Sequence, residues 1–335
     1  MIKEIMKGMG TMIDIVAIGE LLIDFAAVNT DKDGYPTVAA HPGGAPANFL
    51  AAVTKCGGKT ALLGKVGEDR FGDLLIRTLD NIGIETSGVV KDSGVFTTLA
   101  FVTFDETGDR DFSFARKPGA DTCLTYEELD LTLVDRAKVF HFGSLSLTDE
   151  PAGSATKRAV AYAKEKGKLI SYDPNLRKPL WKDLNLAKEQ ILWGLSQADV
   201  VKISDEEVEF LFGMSPQIGA DHIRKTYGVK LVYVTCGENG CYYDNGAASG
   251  HVPALPGIRV IDTTGAGDIF GGCAAWKLLQ TNKAPEELTD GELQDIVTFA
   301  SAGAGISTTK SGGISSVPEL PEIMNAQRKY ESKSY

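Results

Sequence analysis

Short apolar runs, each followed by a stretch with helical spacing, recur along most of this chain, and that alternation limits the fold more than any other feature. The runs are Ile13 to Ile18, Thr60 to Val66, Val139 to Phe142, Leu169 to Tyr172, Val200 to Ile203 and Leu231 to Thr235. They read as buried strands, being short and almost wholly apolar. Helical stretches are expected at 46–56, 71–81, 152–166, 186–196, onward from Asp205, 266–280 and 291–302. Pro46 suits a first helical turn, and Gly57-Gly58 and Gly83 suit helix ends. Strands that alternate with helices pair in parallel under helices on both faces, so the expected class is α/β. Two segments break the rhythm. Residues 96–104 and 111–115 are rich in Phe, Thr and Val, and the turn formers at 105–109 join them as a hairpin. With further strands from 22–40 they are expected to form a small sheet beside the main core. A second hairpin is expected near Cys241 to Tyr243. Residues 1–11 read as a loose leader, with Met12 an alternative start, and 12–335 as a single domain.

The 335 residues carry 34 Lys and Arg against 45 Asp and Glu, a net charge of −11. This acidic balance argues against nucleic acid and anionic membrane as partners. It does not argue against a phosphate-bearing ligand, which needs only a local cradle of amides, a metal and a few cations. No stretch approaches the roughly 20 apolar residues of a membrane span. No signal-peptide core follows the early lysines. The five cysteines, Cys56, Cys123, Cys236, Cys241 and Cys273, form no C-x-x-C pair and read as reduced thiols of a cytoplasmic protein.

Chemistry concentrates in Ile261-Asp262-Thr263-Thr264-Gly265-Ala266-Gly267-Asp268-Ile269-Phe270-Gly271-Gly272. A Gly-rich turn leads there into a helix, and bare amides at a helix start bind anions. Gly265, Ala266 and Gly267 are thus candidates to cradle a phosphoryl group, and Asp268 to accept a proton from an attacking hydroxyl. In isolation Gly-Ala-Gly-Asp reads more readily as a turn with a capping carboxylate; the longer context is more specific. A second segment, His41-Pro42-Gly43-Gly44-Ala45-Pro46-Ala47-Asn48, opens another helix. Its glycines let a flat substrate lie against backbone, and Asn48 both donates and accepts toward hydroxyls. A plain Gly-Pro turn fits that segment equally well. Two P-loop lookalikes fail: Val53 stands where the motif ending at Gly58-Lys59-Thr60 needs Gly, and Gly64-Lys65-Val66 lacks Ser or Thr. No G-x-G-x-x-G follows the first strand, and His41, His141, His222 and His251 make no metal motif.

Taken together, the two segments resemble the two signatures of the ribokinase-type (PfkB) carbohydrate kinase family. The first signature covers Gly43 to Gly72, including Gly64-Lys65-Val66-Gly67-Glu68-Asp69, and the second Asp262 to Gly272. The likeness runs from about Ile13 to Pro318. Within the family the chain is most similar to bacterial fructokinases. The matching stretches are Gly19-Glu20-Leu21-Leu22-Ile23-Asp24-Phe25, Phe114-Ala115-Arg116-Lys117-Pro118-Gly119-Ala120-Asp121, Asp173-Pro174-Asn175-Leu176-Arg177 with Leu180-Trp181, and Ser307-Thr308-Thr309-Lys310.

The resemblance implies a ribokinase-like three-layer α/β/α core with a mostly parallel sheet. It also implies a small β-sheet lid from about 22–40 and 96–115, through which two copies form a homodimer. The implied reaction is ATP-dependent phosphorylation of a sugar's primary hydroxyl, with D-fructose to fructose 6-phosphate the leading case. Asp268 then stands at the catalytic base, and Gly265, Ala266 and Gly267 at the anion hole. Asp24, Gly43, Gly44, Asn48, Arg116 and Arg177 stand at substrate-binding positions. Ser204, Thr235, Gly237 and Gly240 fall near the nucleotide phosphates and ribose, and Ser301 and Gly305 beside the adenine. Glu207 organises Mg2+ through water, and Asp262 with Thr264 a monovalent cation such as K+. Three positions depart from family patterns. Ser204 replaces the Asn of an N-x-x-E motif, while Leu22 and Ser144 stand where ribokinase proper has polar groups near ribose. The last two lower the case for ribose. Ribose, a nucleoside and 2-keto-3-deoxygluconate remain alternative substrates, the acid sugar because Arg177 and Arg116 suit a carboxylate. A catalytically idle sugar sensor on a kinase scaffold remains a reading of another class.

Overall fold

The computed structural model describes residues 11–104 and 110–331. The expected leader up to residue 10 and the hairpin turn at 105–109 lie outside the described residues. In chain order the strands are β1 (Ile13–Ile18), β2 (Leu22–Thr30), β3 (Pro36–Gly43), β4 (Thr60–Gly67), β5 (Val89–Asp92), β6 (Leu99–Phe104) and β7 (Arg110–Ala115). They continue with β8 (Ala137–Gly143), β9 (Leu169–Asp173), β10 (Val200–Ser204), β11 (Leu231–Thr235), β12 (Cys241–Asp244) and β13 (Ser249–Val252). The helices are α1 (Ala45–Lys55), α2 (Arg70–Ile82), α3 (Leu131–Arg136), α4 (Ala152–Glu165) and α5 (Leu184–Gln197). Then follow α6 (Asp205–Phe212), α7 (Pro216–Tyr227), α8 (Ala266–Thr281), α9 (Asp290–Ser307) and α10 (Leu320–Glu331).

Nine strands form the main sheet in the order β13-β12-β11-β10-β9-β8-β1-β4-β5. Pairing is parallel from β11 across to β5, and antiparallel only for β12 and β13. β1 shows why its sequence is continuously apolar. Ile15 and Ala17 face a core that also holds Leu50 of α1, Leu79 of α2, Ile269 of α8 and Leu293 of α9. Val16 and Ile18 face the opposite core, with Leu133 of α3, Ala159 of α4, Ile191 of α5 and Val208 of α6. Both faces of the sheet are covered, so both side-chain sets of the central strand are buried. The molecule is a three-layer α/β fold with a second, small sheet. β5, β13, α3, α7 and α10 were not legible beforehand. β5 is a four-residue, half-exposed edge strand, and α7 reads PQIGADHIRKTY, with few apolar residues to set a period.

The small sheet has the order β3-β2-β6-β7. It is built from two excursions, one between β1 and α1 and one between β5 and β8. Asp69 ties the second excursion down. Its side chain caps α2 by accepting from Phe71 and Gly72 N–H at 2.9 Å, and also accepts from Thr97 N–H at 2.8 Å, just before β6.

Helices α1 and α8 touch backbone to backbone. A Cβ on Gly272 would overlap the carbonyl oxygen of Phe49, and one on Gly271 would lie 3.2 Å from the Phe49 ring. This contact brings together the helix starts that carry Asn48 and Asp268. Gly272→Ala should therefore force the helices apart and lower stability by about 1–3 kcal/mol. The expected readout is a lower urea midpoint at unchanged slope; an unmoved midpoint would refute the close packing.

Candidate active site

The start of α8 is shaped by Gly265, whose φ of 75 places it in the left-handed region that glycine tolerates. No side chain caps this helix. Ala266 N–H reaches back to Thr263 C=O at 3.2 Å, and the helical ladder begins with Ile269 N–H to Gly265 C=O at 2.9 Å. Between them, the amides of Gly267 and Asp268 have no acceptor among the described residues, so they remain available to an anion. Lys202, on β10, stands beside this turn. A methyl group on Gly267 would lie 2.8 Å from its Nζ.

Asp268 is buried, yet it borders two clefts. Asn48 Nδ2 donates to its Oδ2 at 2.9 Å, and Asn175 Nδ2 to its Oδ1 at 3.3 Å. One cleft, of about 270 Å³, is lined by Leu22, Asp24, Gly44, Asn48, Phe114, Leu145 and Arg177. The other, of about 410 Å³, is lined by Lys178, Lys202, Ser204, Glu207, Thr235, Gly237 and Gly267. Asn175, Arg177, Thr263, Gly265 and Asp268 border both. Asn175, Arg177, Ser204, Thr235 and Gly237 sit at or just past the C-terminal ends of β9, β10 and β11, the edge where open α/β sheets bind ligands.

Burial raises the Asp268 pKa; the Asn48 hydrogen bond, Arg177 and Lys202 pull it back toward the ionised form. Burial also pushes Asp24 up to about 6, with Arg177 opposing and Asp268 adding to the rise. Lys202 donates to Asp173 at 3.1 Å. Burial works against its charge, but Asp173, Glu207 and Asp268 more than restore it, so its pKa is raised. The guanidinium of Arg177 makes no hydrogen bond or ion pair among the described residues. The junction of the two clefts thus offers a held carboxylate, bare amides and two cations, which suits moving a proton and an anionic group between neighbouring ligands.

The chain matches the family model described as "pfkB family carbohydrate kinase" over residues 12–320. It is 43% identical to "Fructokinase-1" of Zea mays over 315 residues, which is 92% of this chain and 96% of that protein. A solved fructokinase from Xylella fastidiosa with bound ATP superposes with a TM-score of 0.87 at 30% identity, covering 95% of this chain and 99% of that one. A fructokinase from Vibrio cholerae O395 in its fructose, ADP and calcium ion bound form gives 0.83 at 28% identity, covering 94% and 99%. The chain belongs to the pfkB family of carbohydrate kinases.

In this kinase most of the residues singled out from the sequence converge on the clefts. Gly43 abuts the Asp24 carboxylate. Asp262 accepts from Thr264 N–H at 2.8 Å, and from Ser311 Oγ and Gly312 N–H at 3.0 Å, drawing the 311–312 loop to the turn before α8. Glu207 closes a capping box with Ser204 and also accepts from Leu176 N–H at 2.7 Å. Gly240, Ser301 and Gly305 do not line either cleft. Gly305 lies on α9 against Leu255 and Ile258. Arg116 is placed elsewhere than expected. It is buried, with Nε and Nη2 on Asp121, Nη1 donating to Thr148 Oγ1 at 2.8 Å and Nη2 to Leu145 C=O at 3.0 Å. Its donors are taken by these partners, and it braces Leu145, which does line the smaller cleft.

Four polar residues around these cavities were given no role from the sequence: Glu20, Asp173, Asn175 and Lys202. The available signal was a charged or amide residue within or just after an otherwise apolar strand, as in Val200-Val201-Lys202.

Glu20 accepts from Ala45 N–H at 2.8 Å and so takes the place of a cap on α1. Burial raises its pKa from 4.5 to about 7. Between those pH values the folded chain binds more protons than the unfolded one, so this group's contribution to stability is lost as pH rises. Glu20→Gln keeps an oxygen for Ala45 and cannot ionise. Relative to wild type, its unfolding free energy should gain about 3 kcal/mol between pH 4.5 and pH 8. Denaturant titrations at the two pH values measure this, and a constant difference would exclude the raised carboxyl.

Proposed function

We propose that this kinase transfers the γ-phosphoryl group of ATP to the primary hydroxyl of D-fructose, giving fructose 6-phosphate. The observation that carries this reading is the position of Asp268 at the meeting point of a sugar-sized cleft that holds Asp24, Asn48 and Arg177 and a cleft edged by cations and bare amides. The fructokinase names of the similar proteins support fructose as acceptor.

In this reading the sugar lies between Asp24, Gly43, Gly44, Asn48 and Arg177, with the small sheet as a lid that keeps water from the phosphoryl group. Asp268 accepts the proton of the attacking hydroxyl, and the freed oxygen attacks phosphorus in line. The amides of Gly267 and Asp268, at the Gly265-Ala266-Gly267 turn, stabilise the equatorial oxygens, with Lys202 and Arg177 balancing their charge. Ser204, Thr235 and Gly237 hold the phosphate chain, while Gly240, Ser301 and Gly305 contribute around ribose and base. Glu207 lines the phosphate cleft with Asp205 and Glu206, and both its oxygens keep lone pairs beyond the amides they accept. Mg2+ binds through one or two carboxylates, waters and phosphates rather than a protein cage, so these residues fit it. When bound, it neutralises charge on the phosphate oxygens. Asp262 and Thr264 are our candidates for a monovalent cation.

Asp268→Asn should retain sugar binding while kcat falls by about 10³. ADP release with fructose, ribose and 2-keto-3-deoxygluconate, beside calorimetry of fructose binding, measures both. Near-normal turnover of the variant would refute the base, and preference for another sugar would refute fructose.

Phe25 and Phe101 stack at 5.2 Å on one face of the small sheet, and Phe101 and Val38 are exposed. This apolar face supports a homodimer through the lid. Sedimentation should give twice the chain mass, and Phe101→Glu should give the monomer.

A further inference from the structure

Asn175 has φ 47, one of two non-glycine residues in the left-handed region among the described residues. The other, Asn282, is exposed and simply ends α8. Asn175 differs because the peptides on both its sides are pinned. Pro174 C=O accepts from Ser144 N–H at 3.1 Å, and Leu176 N–H donates to Glu207 Oε1 at 2.7 Å. Such bracketing is how a costly backbone conformation persists at a functional site. Glycine would adopt the same φ more readily, so the backbone alone does not call for a carboxamide here.

The carboxamide has a target. It donates to Asp268 Oδ1, the oxygen opposite the one that Asn48 holds. Asn175 also borders both clefts, and a further small cavity of about 10 Å³ that Glu20, His141, Asp173 and Asp268 line. Two amides, one from each side, therefore set the rotation of a single carboxylate. The Oδ1 contact is the longer of the two and the easier to exchange for a substrate hydroxyl.

We propose that Asn175 is a positioning residue for phosphoryl transfer, locked in the left-handed region so that its carboxamide aims Asp268 Oδ1 at the acceptor hydroxyl. The inference rests on Asp268 being the base. A hydrogen bond to the ionised form favours that form, so Asn175 also keeps Asp268 ready to accept a proton. Through Leu176 and Glu207, the same loop links the base to the phosphate cleft.

The test compares wild type, Asn175→Gly and Asn175→Asp as full-length chains, by kcat, KM, pH profile and melting temperature. Asn175→Gly removes the carboxamide and keeps the φ. It should fold with an undiminished melting temperature and lose between about 10- and about 100-fold in kcat. Its KM values should stay within about threefold, and its acid limb should move to higher pH. Asn175→Asp, which sets a second carboxylate against the first, should move that limb further. Wild-type kcat and an unmoved limb in Asn175→Gly would overturn the proposal, as would a loss of melting temperature with the limb in place. A normal Asp268→Asn enzyme would instead remove the base on which the proposal rests, and a wild type inert on every sugar would overturn both.

Discussion

The hydrogen bond from Asn48 to Asp268 spans 220 positions of the chain, and the site is organised around it. It exists because α1 and α8 approach until Gly272 meets the Phe49 carbonyl. A larger residue there would separate the two helix starts, and the carboxylate would lose its partner and its place between the clefts. The tight core and the chemistry are thus one packing problem.

The electrostatics have the same origin. Glu20, Asp24, Asp173, Glu207 and Asp268 crowd one edge of the sheet, and burial raises the pKa of Glu20, Asp24, Asp173 and Asp268. Lys202, its side chain 11% exposed, is a cation among them, and Arg177 reaches the same space. A cluster of carboxyls in a dry setting resists ionisation. It becomes favourable when hydrogen bonds, lysine and bare amides share the charge, and such clusters are the usual mark of a functional site. Glu207 shows the economy of the arrangement. One carboxylate caps α6, fixes Leu176 and lines the larger cleft.

Much of this was legible beforehand. The apolar runs placed the parallel strands of the main sheet other than β5 to within a residue or two, because a strand buried on both faces carries few polar side chains along its length. The Gly265 turn and Asp268 were legible because a positive φ and a helix start need particular residues. Arg116 shows the converse. Its motif pointed to the substrate side, but whether an arginine meets a ligand or Asp121 depends on which loop folds beside it. Asn175 and Lys202 were passed over for a related reason: a polar residue in or just after an apolar strand hints at a site edge but does not say which partner it meets.

The chain's own residues determined the alternation of strands and helices, the α/β class and the Gly-rich turn with its carboxylate, because these follow from side-chain periodicity and local backbone preference. Tertiary structure alone decided which polar groups share a cleft, which carboxyls are lifted by burial and which arginine stays open to a ligand. Those outcomes depend on distances between residues up to 220 positions apart, and a hydrogen bond or a charge pair between suitable groups forms only when the fold brings them within reach.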